Sequence, residues 1–328
     1  MKLNAGNEAT ETNYRIPIEV PVSVIIPCYN NELYLVECVS SINDGIFPNE
    51  IIIIDGCSTD NSLGLAYELA SQYANITVIS RVVNGGAAEA RRDGIMSARN
   101  LLIALVDADD KVEKDAIADA YEIIISQGAD ICIWDMWRFE KLKIWPNMNL
   151  RPADFPKTGR QAVIETLGGW HIHPLGVAYK RLYISAYSGF SEKSLNADEL
   201  LTRLVFSNAD KVAFSTKKYF YRSNLTSSTR VITYKTLTTL KSSIWLLGFA
   251  KQYPEADFKS VAKTALAEAW YLYIRRGKLE KGEAVRAISR FMKDFTEISQ
   301  PARWIWLYPK YLFAFLWLTI VRFWVLVK

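Results

Sequence analysis

The sequence ALVDADD at residues 104–110 places three carboxylates directly after an apolar run. A strand that is buried on both faces has a continuous run of Leu, Ile and Val, without alternating polar residues. The run therefore predicts a buried strand of an α/β sheet, with Asp107 at its carboxyl end. Ligands of open α/β sheets bind in the crevice at those ends, so this position predicts a ligand site.

The three acids Asp107, Asp109 and Asp110 repel one another unless a positive charge shares their site. A divalent cation with oxygen ligands is a suitable counter-charge, and Mg²⁺ or Mn²⁺ bound to a diphosphate is its usual setting. Because Asp is also common in turns, a solvated strand-to-loop turn is the alternative interpretation of these residues taken alone.

The first half of the chain alternates between apolar runs and helical spacing. This alternation predicts βαβ units and a largely parallel sheet. Strands are predicted over residues 22–27, 50–55, 76–80, 101–106 and 130–135, and helices over residues 31–42, 60–73, 87–98, 115–127 and 200–206. From residue 236 onward the spacing is helical and the sequence becomes increasingly basic.

Acidic residues mark two further positions. Asp55 ends the second predicted strand, while Asp198 and Glu199 precede the helix predicted at 200–206. In a sheet wound this way, they converge with Asp107 on one crevice, where Asp55 can bind a ribose or base and one of the later pair can act as a general base. The set predicts transfer of a sugar from a nucleoside diphosphate to a hydroxyl, with inversion. Acids of a turn or of a helix N-terminus are the alternative.

The composition is that of a globular chain long enough to bury a large core. Of the 328 residues, 50% are hydrophobic and 23% are charged, which excludes a disordered protein. The cysteines Cys28, Cys38, Cys57 and Cys132 lack metal-ligand spacing, and we expect buried free thiols in a reducing compartment. Residues 1–19 carry no apolar segment typical of a signal peptide, so we expect the chain to stay in the cytoplasm.

The C-terminal end is basic and rich in aromatic residues. Residues 271–328 carry eleven Lys or Arg against four acids, and residues 301–328 hold four of the ten tryptophans. The uncharged run between Lys310 and Arg322 is eleven residues, whereas a spanning helix needs about 20. Because Trp and Tyr prefer the membrane interface and basic segments attract anionic lipid, we expect an interfacial segment on an anionic membrane surface. A helix packed on the domain and a transmembrane span are the alternatives.

The family 2 glycosyltransferases have motifs that four segments of this chain resemble in order and spacing. These segments are VSVIIPCYNN (22–31), EIIIIDGCSTDNS (50–62), NGGAAEARRDGIMSA (84–98) and LVDADD (105–110). The resemblance, over about residues 20–230, implies a GT-A fold, which is a Rossmann-like nucleotide-binding sheet flanked by helices. The basic, aromatic C-terminal sequence adds an expected helical, membrane-associated extension. It also implies a nucleotide-sugar donor (UDP-sugar by default), a Mn²⁺ or Mg²⁺ cofactor and inversion at the anomeric carbon.

The same resemblance assigns roles to residues by motif. It implies a nucleotide and diphosphate site formed by Pro27, Tyr29, Glu32, Asp55, Arg91 and Asp107, and metal ligands at Asp107 and Asp109. It implies a catalytic base at Asp198, with Glu199 as second choice. It also implies that a Tyr-Phe-Tyr-Arg element at 219–222 closes over the donor or acceptor. The chain departs from the family pattern at Gly56, where a second Asp is frequent, and at Ala197, where Glu is frequent. The first departure leaves the nucleobase undefined.

The predicted organisation is a lead-in (1–20), a glycosyltransferase domain (21–230), a basic helical extension (231–300) and an aromatic interfacial segment (301–328). The resemblance to relatives with such a tail implies transfer of a hexose or N-acetylhexosamine to a lipid-linked saccharide, such as one on undecaprenyl diphosphate, during bacterial O-antigen, lipopolysaccharide or capsule synthesis. We expect a peripheral or monotopic protein on the cytoplasmic face of the inner membrane, without a nucleic-acid partner. A nucleotidyltransferase and a non-catalytic membrane-associated scaffold are the alternatives.

Overall fold

The computed structural model describes residues 21–43, 49–141, 143–147, 150–167, 176–188, 197–223, 234–274 and 281–299. The predicted lead-in and the predicted interfacial segment lie outside these described residues. Within the described ranges, no helix is both long enough and apolar enough to cross a membrane. The predicted domain boundaries and the membrane-associated segment therefore stay predictions.

One mixed sheet carries the strands of the described residues. The strands are β1 (Val22–Cys28), β2 (Asn49–Asp55), β3 (Ile76–Ser80), β4 (Leu102–Leu105), β5 (Lys111–Val112), β6 (Ile131–Glu140), β7 (Lys143–Pro146), β8 (Lys157–Thr158), β9 (Gly176–Tyr179) and β10 (Lys211–Arg222). Their order is β3-β2-β1-β4-β9-β6-β10-β5, with β7 paired to β6 and β8 paired to β10.

Helices cover both faces of this sheet. They are α1 (Leu35–Ile42), α2 (Ser62–Gln72), α3 (Ala87–Ser97), α4 (Ala116–Gln127), α5 (Gly159–Leu167), α6 (Lys180–Ser188), α7 (Ala197–Ser207), α8 (Thr239–Ala250), α9 (Phe258–Ile274) and α10 (Lys281–Ser299). Side chains of α1, α2 and α4 pack on one face, while those of α3 and α5 to α10 form a larger core on the other. The helices of the predicted 231–300 extension therefore share a core with the sheet.

The parallel sheet expected from the sequence is found only in part. β1 pairs in parallel with β2 and β4, and β2 with β3, as the apolar runs predict. Beyond β4 the sheet is mixed and the prediction is wrong in part, because β9 lies antiparallel between β4 and β6, whereas β10 pairs in parallel with β6. β9 is only four residues long and carries no strong pattern. It can lie against β6 because Gly176 has no side chain, and an added Cβ would be 2.0 Å from the carbonyl oxygen of Cys132.

Two local expectations are also corrected. The first helix begins at Leu35 and not at residue 31, and Asn31 and Glu32 lie in a loop whose backbone N–H groups are bonded to the side chains of Ser62 and Asp60. The four cysteines are free, as predicted, but Cys57 is exposed and only the other three are buried. Cys57 lies in a loop at the carboxyl end of β2, where its φ of 66° marks a tight turn.

The third helix lies unusually close to the sheet. At Gly94 an added Cβ would be 2.5 Å from Ile25 Cγ2 and 2.6 Å from Ile54 Cδ1, and both isoleucines are fully buried. Glycine is unfavourable inside helices, so its presence here follows from packing and not from helix propensity. This close approach brings Arg91, one turn earlier on α3, to the carboxyl ends of β1 and β4.

We expect Gly94→Ala to lower the free energy of unfolding by about 1–3 kcal/mol, because it overfills a packed core. The matched control is Gly248→Ala on α8, where an added Cβ meets nothing within 4 Å. That change should raise the free energy of unfolding by about 0.5–1 kcal/mol, because alanine loses less backbone entropy. Urea denaturation measures both. Stabilisation by Gly94→Ala would contradict the close packing.

Candidate active site

The crevice lies at the carboxyl ends of β1, β2 and β4, where two loops are bonded side by side. Residues 29–32 follow β1, and residues 56–62 follow β2. Their hydrogen bonds join Asn30 N to Ser58 Oγ (3.0 Å), Thr59 N to Asn30 Oδ1 (2.8 Å), Asn31 N to Ser62 Oγ (2.7 Å) and Asn61 N to Glu32 Oε2 (2.8 Å). The first loop is therefore fixed by the second, and together they form one wall of the crevice.

Asp55 is buried at the end of β2, at the base of that wall. Its Oδ2 accepts hydrogen bonds from the backbone N–H groups of Cys57 and Ser58, both at 3.1 Å. Within the described residues, its Oδ1 is buried and accepts no hydrogen bond. A buried acceptor without a donor is costly, so this oxygen is suited to an N–H or O–H group of a ligand.

Arg91 connects the strand end of Asp107 with the start of α7. Its Nη2 donates to Asp107 Oδ1 at 2.6 Å, and its Nη1 lies 3.4 Å from Asp198 Oδ2. The guanidinium is buried, whereas the Asp107 and Asp198 side chains are 30% and 47% exposed. The two carboxylates raise the pKa of Arg91 despite its burial, so the cation persists at any physiological pH. The link from Arg91 to Asp198 is a contact that no sequence spacing indicated.

The other two acids of the ALVDADD loop have different surroundings. Burial, with the neighbouring charge of Asp107, raises the pKa of Asp109 to about 6. Burial likewise raises the pKa of Asp110, but its carboxylate accepts bonds from the Tyr219 hydroxyl and the backbone of Arg222. Asp110 is thus engaged by β10, while the carboxylates of Asp107 and Asp109 receive no bond from that strand among the contacts of the described residues.

The remaining predicted site residues lie around this crevice with unequal access to it. Pro27 is buried inside β1 beside Ile54, and Tyr29 is 46% exposed at the strand's end. Glu32 is exposed in the first loop. Glu199 follows Asp198 on α7, but its carboxylate lies 3.7 Å from Arg203 on the same helix. The geometry therefore brings Asp55, Arg91, Asp107 and Asp198 to one edge of the sheet.

Across the described part of the chain, no group of three or more His, Cys, Asp or Glu is arranged to hold a metal ion. Asp107 and Asp109 nevertheless fit a cation that completes its shell from a substrate, because Mg²⁺ commonly binds one or two carboxylates plus phosphate oxygens. The carboxylate of Asp107 is paired with Arg91, and that of Asp109 has no ion-pair partner among the described residues. The pair of carboxylates is therefore compatible with a divalent cation delivered with a diphosphate.

Residues 23–181 match the family model described as Glycosyl transferase family 2. Over 121 residues the chain is 36% identical to Glycosyltransferase GlyG of Streptococcus pneumoniae, covering 37% of this chain and 40% of that protein. Over 206 residues it is 27% identical to Poly(ribitol-phosphate) beta-N-acetylglucosaminyltransferase TarS of Staphylococcus aureus, covering 61% and 35%. The chain spans less than half the length of each of these relatives.

A crystal structure of S. aureus TarS residues 1–349 in complex with UDP-GlcNAc has a similar fold. The TM-score is 0.62 at 18% sequence identity, over 84% of this chain and 82% of that one. The likeness covers the mixed α/β sheet with its flanking helices, and at this identity it is a likeness of fold.

We expect Arg91→Gln to lower the free energy of unfolding by about 1–3 kcal/mol, because Asp107 then loses its charged donor in a largely buried site. The matched control is Arg92→Gln on the next residue, which is exposed and should change stability by less than about 0.5 kcal/mol. Urea denaturation at neutral pH compares the two. Equal effects would contradict the buried ion pair.

Proposed function

Because residues 23–181 belong to the family 2 glycosyltransferases, we propose that the chain transfers a sugar from a nucleoside diphosphate sugar to an acceptor hydroxyl. The observation that carries this proposal is the position of Arg91 between Asp107 and Asp198. One buried guanidinium joins the acidic loop suited to a diphosphate with a half-exposed carboxylate suited to proton removal. The leaving diphosphate, beside Asp107, and the attacking hydroxyl, beside Asp198, would therefore lie on either side of the Arg91 guanidinium.

The donor is proposed to be a UDP-hexose or a UDP-N-acetylhexosamine. The buried Asp55 Oδ1 accepts no hydrogen bond from the described residues, and it would accept one from the nucleobase or ribose of the sugar nucleotide. The backbone of residues 29–32, fixed by the loop after β2, would line the same pocket together with the exposed Tyr29 ring. The fold shared with TarS, whose structure holds UDP-GlcNAc, supports this choice of donor.

Asp107 and Asp109 are proposed to hold Mn²⁺ or Mg²⁺ together with the donor diphosphate. The bound cation would neutralise the charge that develops on the leaving diphosphate. Arg91 already contacts Asp107 and carries a permanent charge, so it can donate to a phosphate oxygen from the same side. Asp110 is not assigned this role, because its side chain is buried and both of its carboxylate oxygens already accept bonds from β10.

Asp198 is proposed to be the general base that removes the proton of the acceptor hydroxyl. Its carboxylate is 47% exposed and lies 3.4 Å from Arg91, which also contacts Asp107, whereas the similarly exposed Glu199 (41%) lies 3.7 Å from Arg203 of its own helix. One base opposite the leaving group is sufficient for a single displacement, which inverts the anomeric carbon. The β linkage in the name of the relative TarS is the linkage that one displacement on an α-linked UDP-sugar would give.

The acceptor is proposed to be a hydroxyl of a bacterial surface polysaccharide carried on a lipid at the cytoplasmic side of the membrane. Support for a surface polymer comes from TarS, which is named for poly(ribitol-phosphate). Support for a lipid carrier comes from the basic, aromatic sequence of residues 271–328. Radiolabel transfer from a panel of UDP- and dTDP-sugars to diphosphate-lipid and polyol-phosphate acceptors tests both. If the protein labels neither acceptor and hydrolyses none of the sugar nucleotides, the proposal fails in favour of the non-catalytic scaffold.

We expect Asp198→Asn to lower turnover by about 10²–10⁴-fold, the usual contribution of a general base. Its melting temperature should fall only slightly, because Arg91 loses the half-exposed Asp198 but keeps its hydrogen-bonded partner Asp107. Glu199→Gln, made in parallel, should lower turnover far less. A larger loss in Glu199→Gln than in Asp198→Asn would show that the base is misassigned.

We expect EDTA to abolish transfer and Mn²⁺ to restore it. Asp109→Asn should weaken Mn²⁺ binding, measured by electron paramagnetic resonance in the presence of UDP, and should lower turnover in parallel. The matched control is Asp154→Asn, since Asp154 is paired with Arg151 on the surface. Full activity in EDTA would contradict the metal, whatever the variants do.

A further inference from the structure

The carboxyl end of β10 is hydrogen-bonded to the acidic loop, residues 107–110, through Tyr219 and Arg222. The Tyr219 hydroxyl donates to Asp110 Oδ2 at 2.6 Å and accepts the backbone N–H of Asp107 at 3.1 Å. One phenol oxygen is therefore bonded to two residues of the loop. Neither bond uses the carboxylate of Asp107.

Arg222 completes this set three residues later. Its backbone N–H donates to Asp110 Oδ1 at 2.7 Å, and its Nε donates to the carbonyl oxygen of Asp109 at 2.6 Å. Its Nη2 donates to Glu37 Oε2 on α1 at 2.5 Å. β10 thus bonds the backbone of Asp107 and Asp109 and both carboxylate oxygens of Asp110. Among the contacts of the described residues, it does not bond the carboxylates of Asp107 and Asp109, which are the proposed metal ligands.

Both residues are themselves held firmly. Tyr219 is fully buried and stacks on Trp134, with ring centroids 6.1 Å apart. The guanidinium of Arg222 lies 4.5 Å from the ring centroid of Tyr34 and 4.4 Å from that of Phe139. Side chains packed in this way lose little freedom when they bond the loop, so the loop is held in one position before any ligand binds.

We propose that Tyr219 and Arg222 are positioning residues, which hold Asp107 and Asp109 where the cation and the donor diphosphate bind. This inference rests on the proposed function. Asp110 is the point where β10 is attached to the loop, and it does not act as a metal ligand. The role differs from the closing movement over donor or acceptor that the Tyr-Phe-Tyr-Arg sequence suggested. Outer partners of metal ligands typically change metal affinity or activity by about 10–100-fold when removed.

The test is Tyr219→Phe, which keeps the ring and its stacking on Trp134 but removes the hydroxyl. We expect Mn²⁺ affinity in the presence of UDP and turnover to fall by about 10–100-fold each, with the KM for the acceptor unchanged. Hydrogen exchange of the peptide covering residues 105–112 should become faster, because the N–H of Asp107 loses its acceptor. The matched control is Tyr253→Phe, a buried tyrosine between α8 and α9 whose hydroxyl bonds Ser207.

Arg222→Lys provides a second variant with the same charge. Lysine keeps the backbone N–H bond to Asp110 and can remain near Glu37, but it cannot reproduce the Nε bond to the Asp109 carbonyl while paired with Glu37. We expect the same direction of change in Mn²⁺ affinity as for Tyr219→Phe, again with the KM for the acceptor unchanged. This variant keeps the proposal testable if the tyrosine variant fails to fold.

The outcomes separate this inference from the proposed function. Wild-type Mn²⁺ affinity, turnover and hydrogen exchange in folded Tyr219→Phe and Arg222→Lys would overturn the positioning role alone. A wild-type chain that neither binds Mn²⁺ with UDP nor transfers any sugar would overturn the proposed function, and the positioning role would fall with it. Losses in both variants, absent from Tyr253→Phe, would support the role.

Discussion

The geometry of the crevice depends on the placement of one buried side chain, the guanidinium of Arg91. Arg91 reaches Asp107 and Asp198 because α3 lies against β1 and β2, and α3 lies there because Gly94 presents no side chain to Ile25 and Ile54. A buried guanidinium needs charged partners, since burial alone would disfavour it. The two carboxylates supply them, and in doing so they join a strand end with the start of a helix more than ninety residues later in the sequence. The close packing of α3 at Gly94 thus determines where the charge of Arg91 lies relative to the partly exposed carboxylates of Asp107 and Asp198.

The three acids of the ALVDADD sequence have three separate physical roles. Asp107 is paired with Arg91, Asp109 has a carboxylate whose pKa is raised by burial and by Asp107, and Asp110 is bonded by β10. Like charges at this density would otherwise push the loop apart. A site that holds its donors and charges in place before a ligand arrives loses no energy on rearrangement when charge develops during a reaction.

The sequence predicted the part of the fold that local pattern determines. The apolar runs of β1 to β4 and the acids at their ends follow from burial on both faces, and each lies where expected within one or two residues. The sequence could not predict β9, which is four residues long, or the roles of Tyr219 and Arg222, whose partners lie more than a hundred residues away. Cys57 was wrongly expected to be buried with the other cysteines, because the apolar run of β2 ends at Ile54 and Cys57 lies in the turn that follows, between Gly56 and Ser58. Contacts made by long-range packing leave no periodic signal.

The central claim is that a divalent cation joins Asp107 and Asp109 to the diphosphate of a bound nucleotide whose base or ribose is bonded by Asp55. Crystals grown with UDP and Mn²⁺, with anomalous scattering recorded near the manganese edge, test it most directly. The account predicts an anomalous peak between the Asp109 carboxylate and the UDP phosphates, with a hydrogen bond from the nucleoside to Asp55 Oδ1. A manganese peak away from this loop, or UDP bound without contact to Asp55, would contradict it.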